Sequence, residues 1–162
     1  MKVSYEIRPI KSADNPQVAT LIRTVMPEFG ARGPGFAITD PEVDHMFEAY
    51  DNKKSSYFVL FHDEKIIGGG GVAPLEGGAP DTCELKKMYF LAEARGLGYG
   101  KKMLKRCLQA ARELGFRKCY LETLENMNQA KKLYERSGFQ KLSTPMGTTG
   151  HFGCNAWYLL IL

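Results

Sequence analysis

The residues Arg95-Gly96-Leu97-Gly98-Tyr99-Gly100-Lys101-Lys102 lie between a strand-like run and a long amphipathic pattern. The run before them is Cys83-Glu84-Leu85-Lys86-Lys87-Met88-Tyr89-Phe90. After them, Met103, Leu104, Cys107, Leu108, Ala111 and Leu114 recur at three- and four-residue spacing, and Gly115 follows. That spacing predicts a helix with a glycine stop. A glycine turn opening a helix aims several backbone N–H groups at one point. The helix dipole adds partial positive charge, so the natural guest is a phosphate. Arg95, Lys101 and Lys102 add full charges. The plainer reading of the same glycines is a flexible loop.

Two familiar phosphate motifs do not fit. A Walker A loop needs four residues between its glycines and Ser or Thr after Gly-Lys. Here three residues separate Gly96 from Gly100, and Lys102 follows Lys101. The dinucleotide fingerprint lacks its third glycine, and Cys83 to Phe90 does not read as the first strand of a βαβ unit. What remains is Arg-x-x-Gly-x-Gly after a strand. It resembles motif A of the GNAT superfamily, the acyl-CoA N-acyltransferases. Downstream, Lys118 to Thr123 reads as a strand. Met127 to Phe139 then resembles the Ala-x-x-Leu-Tyr-x-x-x-Gly-Phe signature of GNAT motif B, through Ala130, Leu133, Tyr134, Gly138 and Phe139. Many members carry Asn seven residues before the tyrosine. Here Met127 holds that place, between Asn126 and Asn128.

The resemblance implies an α/β fold of three layers, with a mixed central sheet of about six to seven strands flanked by about four helices. It implies acetyl-CoA as co-substrate and direct transfer to a primary amine. Cofactor contacts would fall on Met88, Tyr89 and Phe90, on Arg95, Gly96, Leu97, Gly98, Tyr99, Gly100 and Lys101, and on Asn128. At the offset of Glu84 some members place a general-base glutamate. The matching role for Tyr134 is protonation of the departing thiolate, and its pKa near 10 keeps it protonated. Both also have plain readings, as a strand carboxylate and a core tyrosine. The acceptor, a small-molecule amine or a peptide or protein amine, would lie against residues 26–50 and 143–155. There Asp40, Glu42, Asp44 and Glu48 can attract a cation, while Phe29, Phe36, His151 and Phe152 can line a pocket. A homodimer is plausible for the family. A non-catalytic acyl-CoA sensor, a different acyl group and a nucleotide-binding protein are the alternatives.

Composition bounds this reading. A chain of 162 residues suits one domain spanning residues 1–162. Its net charge of +4, with both signs interleaved, does not argue for nucleic acid. No apolar run approaches membrane-spanning length. The four cysteines show neither a Cys-x-x-Cys pair nor zinc spacing, and the three histidines are unpaired. The expectation is therefore a cytoplasmic protein without metal.

The remaining pattern reads as βααβββαβαββ. The first strand runs from Val3 to Ile10. A helix capped by Asp14 runs to Met26, and Pro27 opens a loop. A second helix starts at Thr39-Asp40-Pro41. Tyr57 to Phe61 and Lys65 to Ala73 form a hairpin, and Gly68 to Gly71 inside it read as a bulge or a close backbone approach. On a regular strand Glu84 would share a face with Lys86 and Met88, and Leu85 with Lys87. Phe139 to Leu142 and Ala156 to Leu162 complete the set.

Overall fold

The computed structural model describes residues 4–162. Seven strands form one sheet in the order β1-β2-β3-β4-β5-β7-β6. They are β1 (Tyr5–Pro9), β2 (Ser56–His62), β3 (Lys65–Pro74), β4 (Thr82–Phe90), β5 (Lys118–Thr123), β6 (Gln140–Leu142) and β7 (Ala156–Ile161). The helices are α1 (Asn15–Glu28), α2 (Met46–Tyr50), α3 (Tyr99–Glu113) and α4 (Asn128–Arg136). All strand pairs are antiparallel except β4 with β5. β4-α3-β5 is thus a βαβ unit, contrary to the sequence expectation. The glycine turn sits where such units bind ligands, beyond the carboxyl end of a strand. The Val3 start of the first strand lies outside the described residues.

Alternation along the strands sorts side chains into two cores, one per face. Phe58, Leu60, Val72, Cys83 and Leu85 pack with Met103, Leu104, Cys107 and Tyr134 of α3 and α4. Tyr57, Val59 and Ile66 pack with Val18, Leu21, Ile22 and Val25 of α1 and with Met46 and Tyr50 of α2. The three layers follow from this two-sided burial.

Three local expectations change. Asp14 does not cap α1 with its side chain. Its carboxylate instead accepts the Lys11 N–H at 2.8 Å and a two-pronged bond from Arg8 at 2.7 and 3.0 Å. α1 runs on to Glu28 with Pro27 in its last turn, and Gly30 in the left-handed region follows. The second helix is two pieces, a 3-10 turn Pro41–Asp44 and α2, broken at His45.

The four glycines of β3 meet both expected uses. Gly69 pairs with Tyr89 and Gly71 with Lys86, so Gly70 alone faces Lys87 and Met88. This is a β-bulge in β4, and Lys87 has a left-handed backbone (φ 49°). The phenol of Tyr57 lies on Gly69 and Gly71 and donates to the Lys87 carbonyl at 2.8 Å. A Cβ at Gly71 would stand 2.5 Å from the Ser56 carbonyl oxygen and 2.6 Å from the Tyr57 ring. The extra residue reverses the alternation of β4. Cys83 and Leu85 join the α3 core before the bulge, and Met88 and Phe90 join it after. Met88 therefore does not share the face of Glu84 and Lys86, and Lys87 turns to the α1 side to reach Asp40.

Gly71→Ala should destabilise the fold by about 2 kcal/mol through this overpacking. Urea unfolding followed by circular dichroism measures it. An unchanged midpoint would mean that Tyr57 can withdraw without cost.

Candidate active site

β4 and β5 pair only over Thr82–Glu84 and Lys118–Tyr120. Past Glu84 they diverge, so one edge of β4 from Leu85 to Phe90 and one edge of β5 from Leu121 to Thr123 have no strand across from them. A cleft of about 530 Å³ opens from this gap. Its walls are Met88, Tyr89 and Phe90 of β4, the turn from Ala94 to Gly100, and Asn126 to Tyr134 at the start and inner face of α4.

The turn is built for an anion. Gly96 and Gly98 have φ of 75° and 84°, which a side chain rarely adopts. The first intrahelical bond of α3 runs from the Lys102 N–H to the Gly98 carbonyl at 3.3 Å. The N–H groups of Tyr99, Gly100 and Lys101 precede it and are the orphan donors of the helix end. Gly100 lets α3 approach α4, since a Cβ there would stand 3.3 Å from Leu133.

Nine of the eleven residues expected to hold a cofactor line this cleft: Met88, Tyr89, Phe90, Arg95, Gly96, Gly98, Tyr99, Gly100 and Asn128. Leu97 and Lys101 do not, because their side chains turn outward to solvent. Arg95 is also not the loose cation the sequence suggested. Its Nε donates to the Phe90 carbonyl at 2.9 Å and a terminal nitrogen to Glu28 at 2.7 Å. It ties the end of β4 to α1. Beside the motif B position, Asn126 uses its amide N–H on the Phe29 carbonyl at 3.0 Å, while Asn128 opens α4.

Tyr134 stands at the inner end of the cleft and also lines a smaller pocket of about 40 Å³ beyond it. The small pocket is closed by Leu85, Lys87, Leu121, Glu122, Phe36 and Cys154. Burial pushes the Tyr134 phenol above its ordinary pKa. It also pushes the Cys154 thiol up to about 12, so no thiolate nucleophile is ready there.

Behind this pocket lies a charged group. Glu84 is 4% exposed. Burial pushes its carboxyl up to about 7; Glu122 adds to this, while Lys86, His151 and Lys87 oppose it. Glu84 is thus not a surface carboxylate, and it touches neither cavity directly. Asp40 accepts from the buried Lys87 ammonium at 2.7 Å and lies 2.9 Å from His151 Nε2. Burial acts to raise the Asp40 pKa, but His151 and Lys87 outweigh it and hold the carboxyl below its usual range. Burial likewise acts to lower that of His151, and Asp40 outweighs it.

The four acids expected to draw a cation are already matched. Asp40 has these partners, Glu42 pairs with Lys86 and Lys87, Asp44 with Arg23, and Glu48 with Asn15. Glu122 was missed by sequence reading. Only its β5 register with a diverging β4 marks it. Glu84, Glu122 and His151 offer ligand atoms within 4.8 Å of one another, a grouping that spacing along the chain could not reveal. Lys86 and Lys87 also lie beside this group.

The model of the Acetyltransferase (GNAT) family matches residues 20–139. The chain belongs to the GNAT family. The uncharacterized N-acetyltransferase YjgM of Escherichia coli (strain K12) is 40% identical over 91% of this chain and 89% of its own length. A GNAT acetyltransferase structure from Staphylococcus aureus Mu50 superposes with a TM-score of 0.79 at 19% identity, covering 96% of this chain and 98% of that one. The PaiA N-acetyltransferase of Thermoplasma acidophilum, solved in complex with coenzyme A, gives 0.71 at 18% identity, covering 99% and 100%. The seven-stranded mixed sheet and its four helices are the GNAT fold expected from motifs A and B. The protein is an acyltransferase of the N-acetyltransferase type. Among its described residues no helix is long and apolar enough to cross a membrane.

The Asp40–His151 contact is strongest while Asp40 is ionised and His151 charged. Its His151 share is complete below about pH 6.5 and fades as pH rises through the raised value. Its Asp40 share is complete above about pH 4 and fades as pH falls through the depressed value. Asp40→Asn should lower the His151 pKa, read by proton NMR of the imidazole. It should also cost about 3 kcal/mol of stability at neutral pH, since the Lys87 ammonium loses its nearest counter-charge. An unmoved His151 titration would break the assigned pair.

Proposed function

We propose that the chain transfers the acetyl group of acetyl-CoA directly to a primary amine in a ternary complex. The observation that carries this reading is the divergence of β4 from β5, which joins a cleft with an anion-binding turn to a small pocket beneath Tyr134. In this reading the pyrophosphate rests on the N–H groups at Gly98 to Lys101. Pantetheine lies along the free edge of β4 from Met88 to Phe90, with Asn128 across the cleft. The thioester reaches Tyr134.

The size of the small pocket supports acetyl over longer acyl groups. About 40 Å³ is little more than the roughly 30 Å³ of one liquid water, so a short acyl group is favoured over a long one. A succinyl chain would need Phe36 or Cys154 to move. The amine nitrogen attacks the thioester carbonyl carbon, the carbon–sulfur bond breaks, and the thiolate takes the Tyr134 proton. The proton lost by the amine passes toward Glu84, whose pKa near neutrality suits a base at working pH. The acceptor class stays at primary amines, small or on a peptide or protein. Four free cysteines, three of them buried, fit a reducing cytoplasm.

Calorimetric titration with acetyl-CoA, coenzyme A and ATP tests the cofactor. Both coenzyme A forms should bind at about micromolar Kd and ATP far more weakly. Gly98→Glu should abolish binding, because it sets a carboxylate against the pyrophosphate. Retained binding would remove the turn from the site. Tyr134→Phe should keep cofactor affinity and lower thiol release with an amine panel by about 10²-fold. Binding with no release from any amine would favour a sensor over an enzyme.

A further inference from the structure

The proposed reaction leaves one geometric gap. Glu84 is the base on that reading, yet it does not line the pocket where the amine would react. Glu122 does. Their carboxylates belong to one cluster, with ligand atoms within 4.8 Å of each other and of His151. The Glu84 residue and the Glu122 side chain are each only 4% exposed. Two ionised carboxylates at that separation, shielded from water, repel strongly, and such pairs hold one proton between them.

The two partners are not equivalent. Glu122 is braced as an acceptor: its Oε2 accepts from the Tyr120 hydroxyl at 2.8 Å and its Oε1 from the Thr149 hydroxyl at 2.5 Å. The Glu84 carboxylate has no hydrogen-bond donor among the described residues. Glu84 is the more deeply buried of the two and has no such donors, so a proton taken up by the pair is held on Glu84. The other charged and titratable groups facing the pair are Tyr50 from α2, Lys86 and Lys87 from β4, Tyr120 from β5, and His151 and Cys154 from the loop before β7. His151 Nδ1 stands 3.7 Å from Glu122 Oε1, and its other nitrogen is held by Asp40.

Resting on the acetyl-transfer reading, we propose that Glu84 and Glu122 work as one proton-sharing dyad, with Glu122 as the member that faces the reacting amine. The reaction starts from the fully ionised dyad, which is populated as pH rises through the Glu84 titration near 7. Glu122 takes one proton from the acceptor's ammonium and passes it to Glu84, which holds it while the neutral nitrogen attacks; the second nitrogen proton, lost as the carbon–sulfur bond breaks, replaces the one that Tyr134 gave to the thiolate. Tyr120 and Thr149 are positioning residues that keep Glu122 an acceptor. The divergence of the strands explains the division of labour. Glu84 is the last residue of β4 still paired with β5, and Glu122 lies on β5 beyond the branch.

The test needs no acceptor. The full chain is labelled at glutamate carboxyl carbons and titrated by carbon NMR from about pH 4 to about pH 9, with the Glu84 signal assigned by its loss in Glu84→Gln. One glutamate should titrate near neutrality. Glu122→Gln removes the like charge, so the Glu84 signal should move down by about one pH unit or more. Thr149→Val removes a donor to the dianion, so the signal should move up. These opposite shifts are not expected of a merely structural pair. If Glu122→Gln fails to fold by circular dichroism, Thr149→Val answers alone. A Glu84 signal in the ordinary range near 4.3, or one unmoved in both variants, would overturn the dyad. Acetyl-CoA binding and amine-dependent thiol release are read on the same wild-type preparation. The failure of the dyad is thereby distinguished from the failure of the acetyl-transfer reading.

Discussion

Everything that distinguishes this sheet from an ordinary mixed sheet depends on the parting of β4 from β5 after the Glu84–Tyr120 pair. A parallel pair that ran its full length would satisfy its own N–H and C=O groups and close the middle of the sheet. The separation leaves them for a ligand and opens a passage from one face to the other. It has to be enforced, because unpaired backbone inside a protein is costly. The enforcement lies in the bulge at Lys87. Tyr57 holds the Lys87 carbonyl, and the α1-side anions Asp40 and Glu42 hold its ammonium. The glycines of β3 exist in the space those groups require: a side chain at Gly69 or Gly71 would meet Tyr57, and one at Gly70 would meet Met88.

The bulge also decides where charge goes. Without it Lys87 would point into the α3 core among Met103, Leu104 and Cys107, where an unpaired ammonium could not stay charged. Reversing the alternation brings Lys87 to the same face as Glu84 and Lys86. That face then gathers Asp40, Glu42, Glu84, Glu122, Lys86, Lys87 and His151. Asp40 and Glu42 meet the two lysines and the histidine in direct ion pairs. Glu84 is left without an ion pair, and Glu122 has only the longer 3.7 Å approach of His151. The surplus of acid in the interior is therefore a consequence of which residues the bulge makes neighbours, and no count along the chain would show it.

This explains what could be read from the sequence. The helix-opening glycine turn was legible because its function is local: spacing, left-handed backbone and helix end all lie within residues 95–103. The layers were legible because apolar periodicity records which face is buried. Glu84 could be singled out only by its offset from the turn, and the depth of its burial could not be read from neighbours such as Lys86. The face shared by Glu84 and Met88 was misjudged because strict alternation assumes a regular strand. The tie of Arg95 to Glu28, sixty-seven residues away, is invisible to local reading. Glu122 was passed over for the same reason: it belongs to the site through Thr149 and His151, which reach it from a loop with no periodicity of its own.

The two sides of the sheet then acquire different chemical characters. Tyr134 comes from the α3–α4 layer, packed against Phe139 and Tyr158, in surroundings that are apolar and favour a neutral phenol. Glu84, Glu122 and His151 come from the opposite layer, where paired charges keep carboxylates ionisable. Acyl transfer to an amine needs a proton given at sulfur and a proton taken at nitrogen, within one tetrahedral intermediate of each other. A single environment would push both groups the same way. On the proposed reading, Tyr134 keeps its proton on the apolar face and Glu84 accepts one on the charged face, which keeps the two apart in pKa. The gap between β4 and β5 is the place among the described residues where one substrate can touch both faces. On that reading the strand divergence and the opposed electrostatics of the two layers are one device, and neither would serve acetyl transfer without the other.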